Sequence, residues 1–318
     1  MTEFGHIPVL PEETIDSLAI VPDGVYIDGT AGGGGHSLLI AERLSEKGWL
    51  IAIDQDGEAI EAAIERLSDY PDRVTVVRSK YRNVKQIMDD MGIPSVNGIL
   101  LDIGVSSHQI DEAERGFSYM LDGPLDMRMD KRNLSTAADI VNGYTREELI
   151  RIIKEYGEER FAVRIADAIV RERDRERIET TGRLAEIIRG AVPGKAKYTG
   201  GNPAMRTFQA LRIETNRELE VLGESLDMMV EMLKDRGRLS VITFHSLEDR
   251  IVKEAFRRYE KPCICPPEFP VCVCGRIPKG RCVNRKPVTA GEKELRENPR
   301  AHSAKLRTFE VIKEDTKI

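Results

Sequence analysis

The stretch YIDGTAGGGGHS, residues 26–37, sets four consecutive glycines between a short run that reads as a β-strand and a run that reads as a helix. Glycine at a strand-to-helix turn lets the main chain approach a ligand closely, and the helix that follows aims unpaired N–H groups at whatever binds there. A nucleoside triphosphate loop would close on a lysine and a hydroxyl residue, yet no lysine follows until Lys47. A dinucleotide fingerprint is only half met, because Gly32, Gly34 and Ser37, or Gly33, Gly35 and Leu38, supply its first two glycines and not the third.

Asp28, the last residue of the strand, separates the remaining ligand classes. A carboxylate would repel a pyrophosphate, whereas S-adenosylmethionine carries a sulfonium and an ammonium group. The acid therefore favours a cationic ligand. The alternative is that Asp28 caps the turn and the glycines serve only to pack helix on sheet.

Outward from this loop the chain alternates. Residues 25–28, 49–54, 73–79 and 97–104 read as strands, separated by helices at 36–45, 58–67 and 84–91. Unbroken apolar runs such as WLIAI suit strands covered on both faces, as in a buried parallel sheet. From residue 111 to 203 no strand is evident, and helices are expected at 146–156, 159–175 and 181–190. A long helix over 207–235, a strand in GRLSVITFHS and a late strand in AKLRTFEVIK then resume the sheet. The predicted organisation is a first sheet segment at 1–110, a helical insertion at 111–206 and a second sheet segment at 207–318. The stretch VRERDRERIE alternates acid and base and reads as a solvated helix face.

With 318 residues and 41% hydrophobic content, the chain can bury a substantial core. No apolar run reaches membrane-spanning length, and the first residues lack the character of a signal peptide, so the cytoplasm is expected. The net charge of −6 argues against a general polyanion binder. Local charge differs: residues 276–308 hold ten Lys or Arg against three Glu, and residues 193–213 hold no acid at all. All five cysteines, Cys263, Cys265, Cys272, Cys274 and Cys282, fall in one short stretch. Their C-x-C pairs differ from the C-x-x-C knuckles of zinc ribbons, so no metal is expected and a loop of reduced thiols is the reading adopted; the alternative is that thiols so close together hold zinc or become oxidised.

Ligands of open α/β sheets collect at the carboxyl ends of strands. Asp54 ends the second strand about twenty residues beyond the glycine loop, where an acid accepts hydrogen bonds from ribose hydroxyls. Tyr81 follows the third strand and either stacks on a base or staples a helix entrance. Asp102 ends the fourth strand and faces a ligand or caps a turn. His245 follows the fifth and contacts a base or is merely structural.

Eight ordered blocks then carry a resemblance: HIPVL at His6, DGTAGGGGHS at Asp28, DQD at Asp54, LLDIGVSSHQID at Leu100, RGFSYMLDGPLDMRMD at Arg115, MRTFQALRIETNRELE at Met205, VITFHSLEDRIVK at Val241 and NPRAHSAKLR at Asn298. Over nearly its whole length the chain resembles the bacterial 16S ribosomal RNA cytosine-N4 methyltransferase family, MraW or RsmH. The resemblance implies a class I S-adenosylmethionine-dependent, Rossmann-like methyltransferase with a parallel sheet and an inserted helical domain. It implies cofactor contacts at Gly34, Gly35, His36, Asp54, Tyr81, Asp102 and Gln109, and a cytidine of the decoding region as acceptor. Tyr81 is often phenylalanine in that family, a departure that keeps the ring.

Many exocyclic-amine methyltransferases carry a D-P-P-Y-like motif after the fourth strand, and this chain has DIGVSS. Acceptors for the amine proton are sought among the backbone of residues 104–107, Ser106, Asp102 and His245. Lys195, Lys197, Arg206 and Arg212 form the expected RNA approach, with Arg300 and Lys305 a second candidate; both sets also read as solvated loop charge. The expected partner is 16S ribosomal RNA in an assembled or partly assembled small subunit. A methyltransferase of the same fold acting on a protein or small molecule is the alternative, and a nicotinamide oxidoreductase is the rival from another class.

Overall fold

The apolar runs of the first hundred residues form strands because they alternate between two buried faces. In the computed structural model, which describes residues 8–194, 202–269 and 271–313, these are β1 (Val25–Asp28), β2 (Trp49–Asp54), β3 (Val74–Arg78) and β4 (Val96–Asp102). Ile27, Ile51, Ile53, Ile99 and Leu101 enter one core, while Tyr26, Leu50, Ala52 and Leu100 enter another on the opposite side. Side chains alternate across a strand, so both faces of the sheet are covered. Each fully buried Leu or Ile contributes about 1.5–3 kcal/mol relative to exposure.

The chain divides into two compact units, residues 1–104 with 219–318, and residues 105–218. In the first unit, β5 (Leu233–Thr243), β6 (Gly280–Cys282) and β7 (Lys305–Val311) complete a seven-stranded sheet of order β3-β2-β1-β4-β5-β7-β6. Strands β3, β2, β1, β4 and β5 run parallel, and β7 is antiparallel to both β5 and β6. One face receives α4 (Val84–Asp90), α11 (Glu218–Met232) and α12 (Ser246–Glu260) through Met88, Leu226 and Phe256. The other receives α1 (Pro11–Leu18), α2 (Gly35–Ala41) and α3 (Gly57–Arg66) through Leu18, Ile40 and Ala63. The order reverses between β1 and β4, which opens a crevice at their carboxyl ends.

The second unit is helical. Its core draws Ile140 from α6 (Ala137–Gly143), Ile152 from α7 (Arg146–Glu155), Ile169 from α8 (Ala162–Arg173), Leu184 from α9 (Thr181–Ala191) and Phe208 from α10 (Pro203–Asn216). Thr136 and Thr145 open α6 and α7 with capping boxes closed by Asp139 and Glu148. The acid–base alternation of residues 170–179 resolves into ion pairs, with Arg171, Arg175 and Arg183 all on Glu172. This unit, residues 105–218, extends beyond the 111–206 drawn from the sequence, and Phe208 and Leu211 of α10 belong to its core.

The single helix expected over 207–235 is instead two. Arg217 adopts a left-handed conformation, φ 54°, between α10 and α11. Asn216 fixes the break: its amide donates to the carbonyls of Met127 and Arg212, and its oxygen accepts from the Met129 N–H. The two-strand count after residue 207 also misses β6, a three-residue edge strand.

Candidate active site

The glycine loop is held in shape by the strand ends around it. Gly34, at φ 80°, is the N-cap of α2, and Gly32, at φ 52°, has open space where a side chain would stand. Left-handed backbone at both positions favours glycine. The N–H of Gly32 donates to Asp54 Oδ2 at 2.8 Å, and the N–H of Asp56 donates to Asp54 Oδ1 at 2.9 Å. The N–H of Gln55 also bonds this carboxyl, so Asp54 braces the loop and the turn after β2 through three backbone donors. Burial pushes its carboxyl up to about 6, against these hydrogen bonds.

Asp28 is fully buried and is turned inward. It accepts a 2.6 Å bond from Ser37 Oγ and a 3.2 Å bond from the Thr30 N–H. The capping alternative therefore describes its side chain, and its acidity acts on the site only through the field. Burial pushes it up to about 6.

Asp102 has a different environment. Its N–H donates to Thr30 Oγ1 at 2.6 Å, its Oδ2 stands 3.5 Å from His36 Nδ1, and its Oδ1 is buried without a hydrogen-bond partner. Burial first, then the charges of Asp28 and Glu248, push this carboxyl up to about 8. His36, from the first turn of α2, is itself buried and held down to about 4 by that burial, so it is neutral at pH 7. Gly35, the first residue of α2, lies beside it. Tyr81 opens the short turn after β3, and its Cβ would lie 3.1 Å from any Cβ added at Gly29. The structure thus gathers Gly34, Gly35, His36, Asp54, Tyr81 and Asp102 at the carboxyl ends of neighbouring strands.

Ser106 and Gln109 belong to the second unit and are engaged with each other. Ser106 Oγ accepts from the Gln109 N–H at 3.2 Å, and Gln109 Oε1 accepts from the Ser106 N–H at 3.1 Å, a capping box that opens α5 (Ser107–Asp111). His245 is also a cap. Its Nδ1 accepts from the Glu248 N–H at 3.4 Å and its Nε2 stands 3.0 Å from Glu248 Oε1, while Glu248 Oε2 accepts from the N–H groups of Phe244 and His245. Nδ1 thus caps the start of α12, while the buried Nε2 makes no hydrogen bond; capping is the role this geometry shows for the histidine. Glu248, fully buried in the first turn of α12, was not singled out by sequence reasoning. The spacing H-x-x-E before an apolar run is the signal that would have found it.

The expected RNA contacts are dispersed. Lys195 and Lys197 lie outside the described residues. Arg206 is 3.6 Å from the buried Glu159, and Arg212 makes a bidentate pair with Glu218 at 2.8 and 2.9 Å. Lys305 reaches Asp249 at 3.5 Å, and Arg300 is exposed. Among the described residues no helix is long and apolar enough to cross a membrane.

A sheet of order 3-2-1-4-5-7-6 with an antiparallel β7, a glycine loop after β1 and carboxylates at the ends of β1, β2 and β4 define a class I S-adenosylmethionine-dependent methyltransferase. The family model described as the MraW methylase family matches residues 3–312. The chain belongs to that family. It is 58% identical over 310 residues to the ribosomal RNA small subunit methyltransferase H of Lachnospira eligens, with 98% of each chain covered. The protein of the same name from Acetivibrio thermocellus is 57% identical over 312 residues, covering 98% of this chain and all of that one. That of Clostridioides difficile is 51% identical over 310 residues, again covering 98% of this chain.

Proposed function

We propose that the protein transfers a methyl group from S-adenosylmethionine to the exocyclic N4 of a cytidine in the decoding region of 16S ribosomal RNA. The expected substrate is the assembled or partly assembled small subunit, in the cytoplasm, where ribosomes are built. The observation that carries the cofactor half is the row of carboxylates formed by Asp28, Asp54 and Asp102 at the ends of β1, β2 and β4, with Glu248 in the first turn of α12 after β5. Such a row is unfavourable beside phosphates and favourable beside cations. The RNA half rests on the relatives' shared name.

The cofactor supplies a methyl group made electrophilic by its sulfonium. Asp54 would hold its ribose hydroxyls with the acceptor capacity left beyond the N–H groups of Gly32, Gln55 and Asp56, each charged bond being worth about 1.5–3 kcal/mol. Asp102 would offer Oδ1, its unsatisfied oxygen, to a cationic or N–H group. Tyr81 presents a ring at the end of β3. The cytosine amine has its lone pair delocalised into the ring, so holding it in line and accepting its N–H as nitrogen becomes tetrahedral are the tasks left to the protein. Positioning supplies more of that rate than any single base. The target base must also be unstacked, at a cost of a few kcal/mol unless the RNA already presents it exposed.

The test is nucleoside mass spectrometry after incubating the protein and labelled cofactor with small subunits from cells that lack it. N4-methylcytidine in 16S RNA is expected, with naked RNA a poorer substrate than subunits. Label appearing in protein or metabolite fractions and not in RNA would overturn the reading.

A further inference from the structure

Residues 261–279 connect α12 to β6, and none of those described is buried. Ile264, Val271, Val273 and Ile277 are between 64% and 72% exposed, so the segment has no apolar core of its own. Yet four thiols converge in it. Cys263 Sγ and Cys274 Sγ each lie 3.4 Å from Cys272 Sγ, Cys265 Sγ lies 3.9 Å from it, and all four sulfurs fall within 4.8 Å of one another. Bringing four side chains of a coreless loop to one point costs conformational entropy that burial here does not offset.

The distances specify what does. Four thiolates at about 2.3 Å from one ion, at the corners of a tetrahedron, lie about 3.8 Å apart along each edge. A disulfide would need about 2.05 Å; all five cysteines are free thiols. The surrounding backbone also suits thiolates. The Val273 N–H donates to Cys265 Sγ at 3.3 Å, the N–H groups of Arg276 and Ile264 face Cys274, and that of Cys274 faces Cys272. Backbone donors of this kind offset the charge of a metal–thiolate centre. Cys282, in β6, is separate: its own N–H donates to Glu260 Oε1 at 3.0 Å, and it is not among the four.

We propose that Cys263, Cys265, Cys272 and Cys274 bind one Zn²⁺ as a closed tetrathiolate that fixes the segment between α12 and β6. This departs from the expectation of no metal. That expectation weighed the spacing within each C-x-C pair, whereas the fold sets one pair against the other. Four thiols release four protons as the ion binds, leaving a centre of charge −2. With all four positions filled by protein, the site is structural and takes no part in methyl transfer.

The experiment is elemental analysis of tag-free full-length protein purified under reducing conditions, with zinc release followed by a chromogenic chelator during thiol titration. One zinc per chain, released as four thiols become reactive, is expected. Cys272→Ser should lose the zinc and Cys282→Ser should keep it. Should Cys272→Ser fail to fold, exchange of the wild-type protein with Co²⁺ still decides: the intense thiolate-to-cobalt absorption of a tetrahedral S₄ site is expected. Protein that is metal-free with four freely titrating thiols, that holds iron in place of zinc, or that carries disulfides within the cluster overturns the proposal.

Discussion

His36 Nδ1 faces Asp102 Oδ2 at 3.5 Å while His36 Nε2 lies 2.8 Å from the carbonyl oxygen of Val9. A carbonyl only accepts, so the proton of the neutral imidazole sits on Nε2 and Nδ1 presents a lone pair to Asp102. Two facing lone pairs repel. Asp102 is therefore better accommodated protonated, in keeping with a carboxyl pushed up to about 8.

The first prediction follows from the sign of that shift. Without cofactor the folded protein keeps a proton on Asp102 that the unfolded chain gives up near 3.8, so its contribution to stability is complete below about 3.8 and is lost as pH rises through about 8. A cationic cofactor favours the ionised form, so binding should release a proton at pH 7 and tighten as pH rises from 6 toward 8. Calorimetry in buffers of different ionisation enthalpy measures the release, and Asp102→Asn should remove most of it. Proton uptake on binding, or affinity that falls with pH, would contradict the assignment.

Asp54→Ala should weaken S-adenosylmethionine binding by about 1–3 kcal/mol, since it removes charged hydrogen-bond acceptance at the end of β2. It also releases the Gly32 N–H, so part of the loss should reflect a looser loop. Calorimetry on the variant, with a thermal melt to check the fold, distinguishes this from general unfolding; unchanged affinity removes Asp54 from the site.

His245 allows the catalytic and capping roles to be separated. His245→Ala should cost about 0.5–2 kcal/mol in stability, the usual loss of an N-cap, and His245→Asn should restore most of it. Methyl transfer should then follow the folded fraction. If the asparagine variant is as stable as wild type and yet inactive, the ring takes part in the chemistry after all.

How far the sequence discloses all this depends on whether the signal is local. The strands β1, β2 and β4 are continuous apolar runs next to glycine and aspartate, and they stand where those runs are. The break at Arg217 was hidden because ETNRELE has no glycine or proline; it is set by Asn216 bonding to Met127 and Met129, nearly ninety residues away. The strand β6 is three residues long and exists only through pairing with β7. Asp54 and Asp102 could be placed at the carboxyl ends of β2 and β4 because strand ends are legible. The inward turn of Asp28 was not, because it depends on where Ser37 lies in the fold. The cysteines show the same limit, since two unremarkable pairs become one cluster only when the loop closes.

The last prediction concerns RNA docking, and the structure redistributes it among the basic residues of 193–213. Arg212 is largely buried in its bidentate pair with Glu218, and Arg206 stands against the buried Glu159, so each arginine already has a partner within its own helical unit. Removing one partner of such a pair strands the other's charge. Arg212→Ala should therefore lower thermal stability first and affect RNA methylation only through it. Lys195 and Lys197 sit in the same acid-free run. Replacing both with alanine should leave cofactor affinity unchanged and reduce the log–log salt slope of subunit methylation by about 0.7–0.9 per lysine, one phosphate contact each. The measurement is the initial rate on small subunits across a salt series, for wild type, the double-lysine variant and Arg212→Ala. A double-lysine variant with the wild-type slope, or an Arg212→Ala protein of normal stability that shows a reduced one, would place the docking surface on the arginines instead.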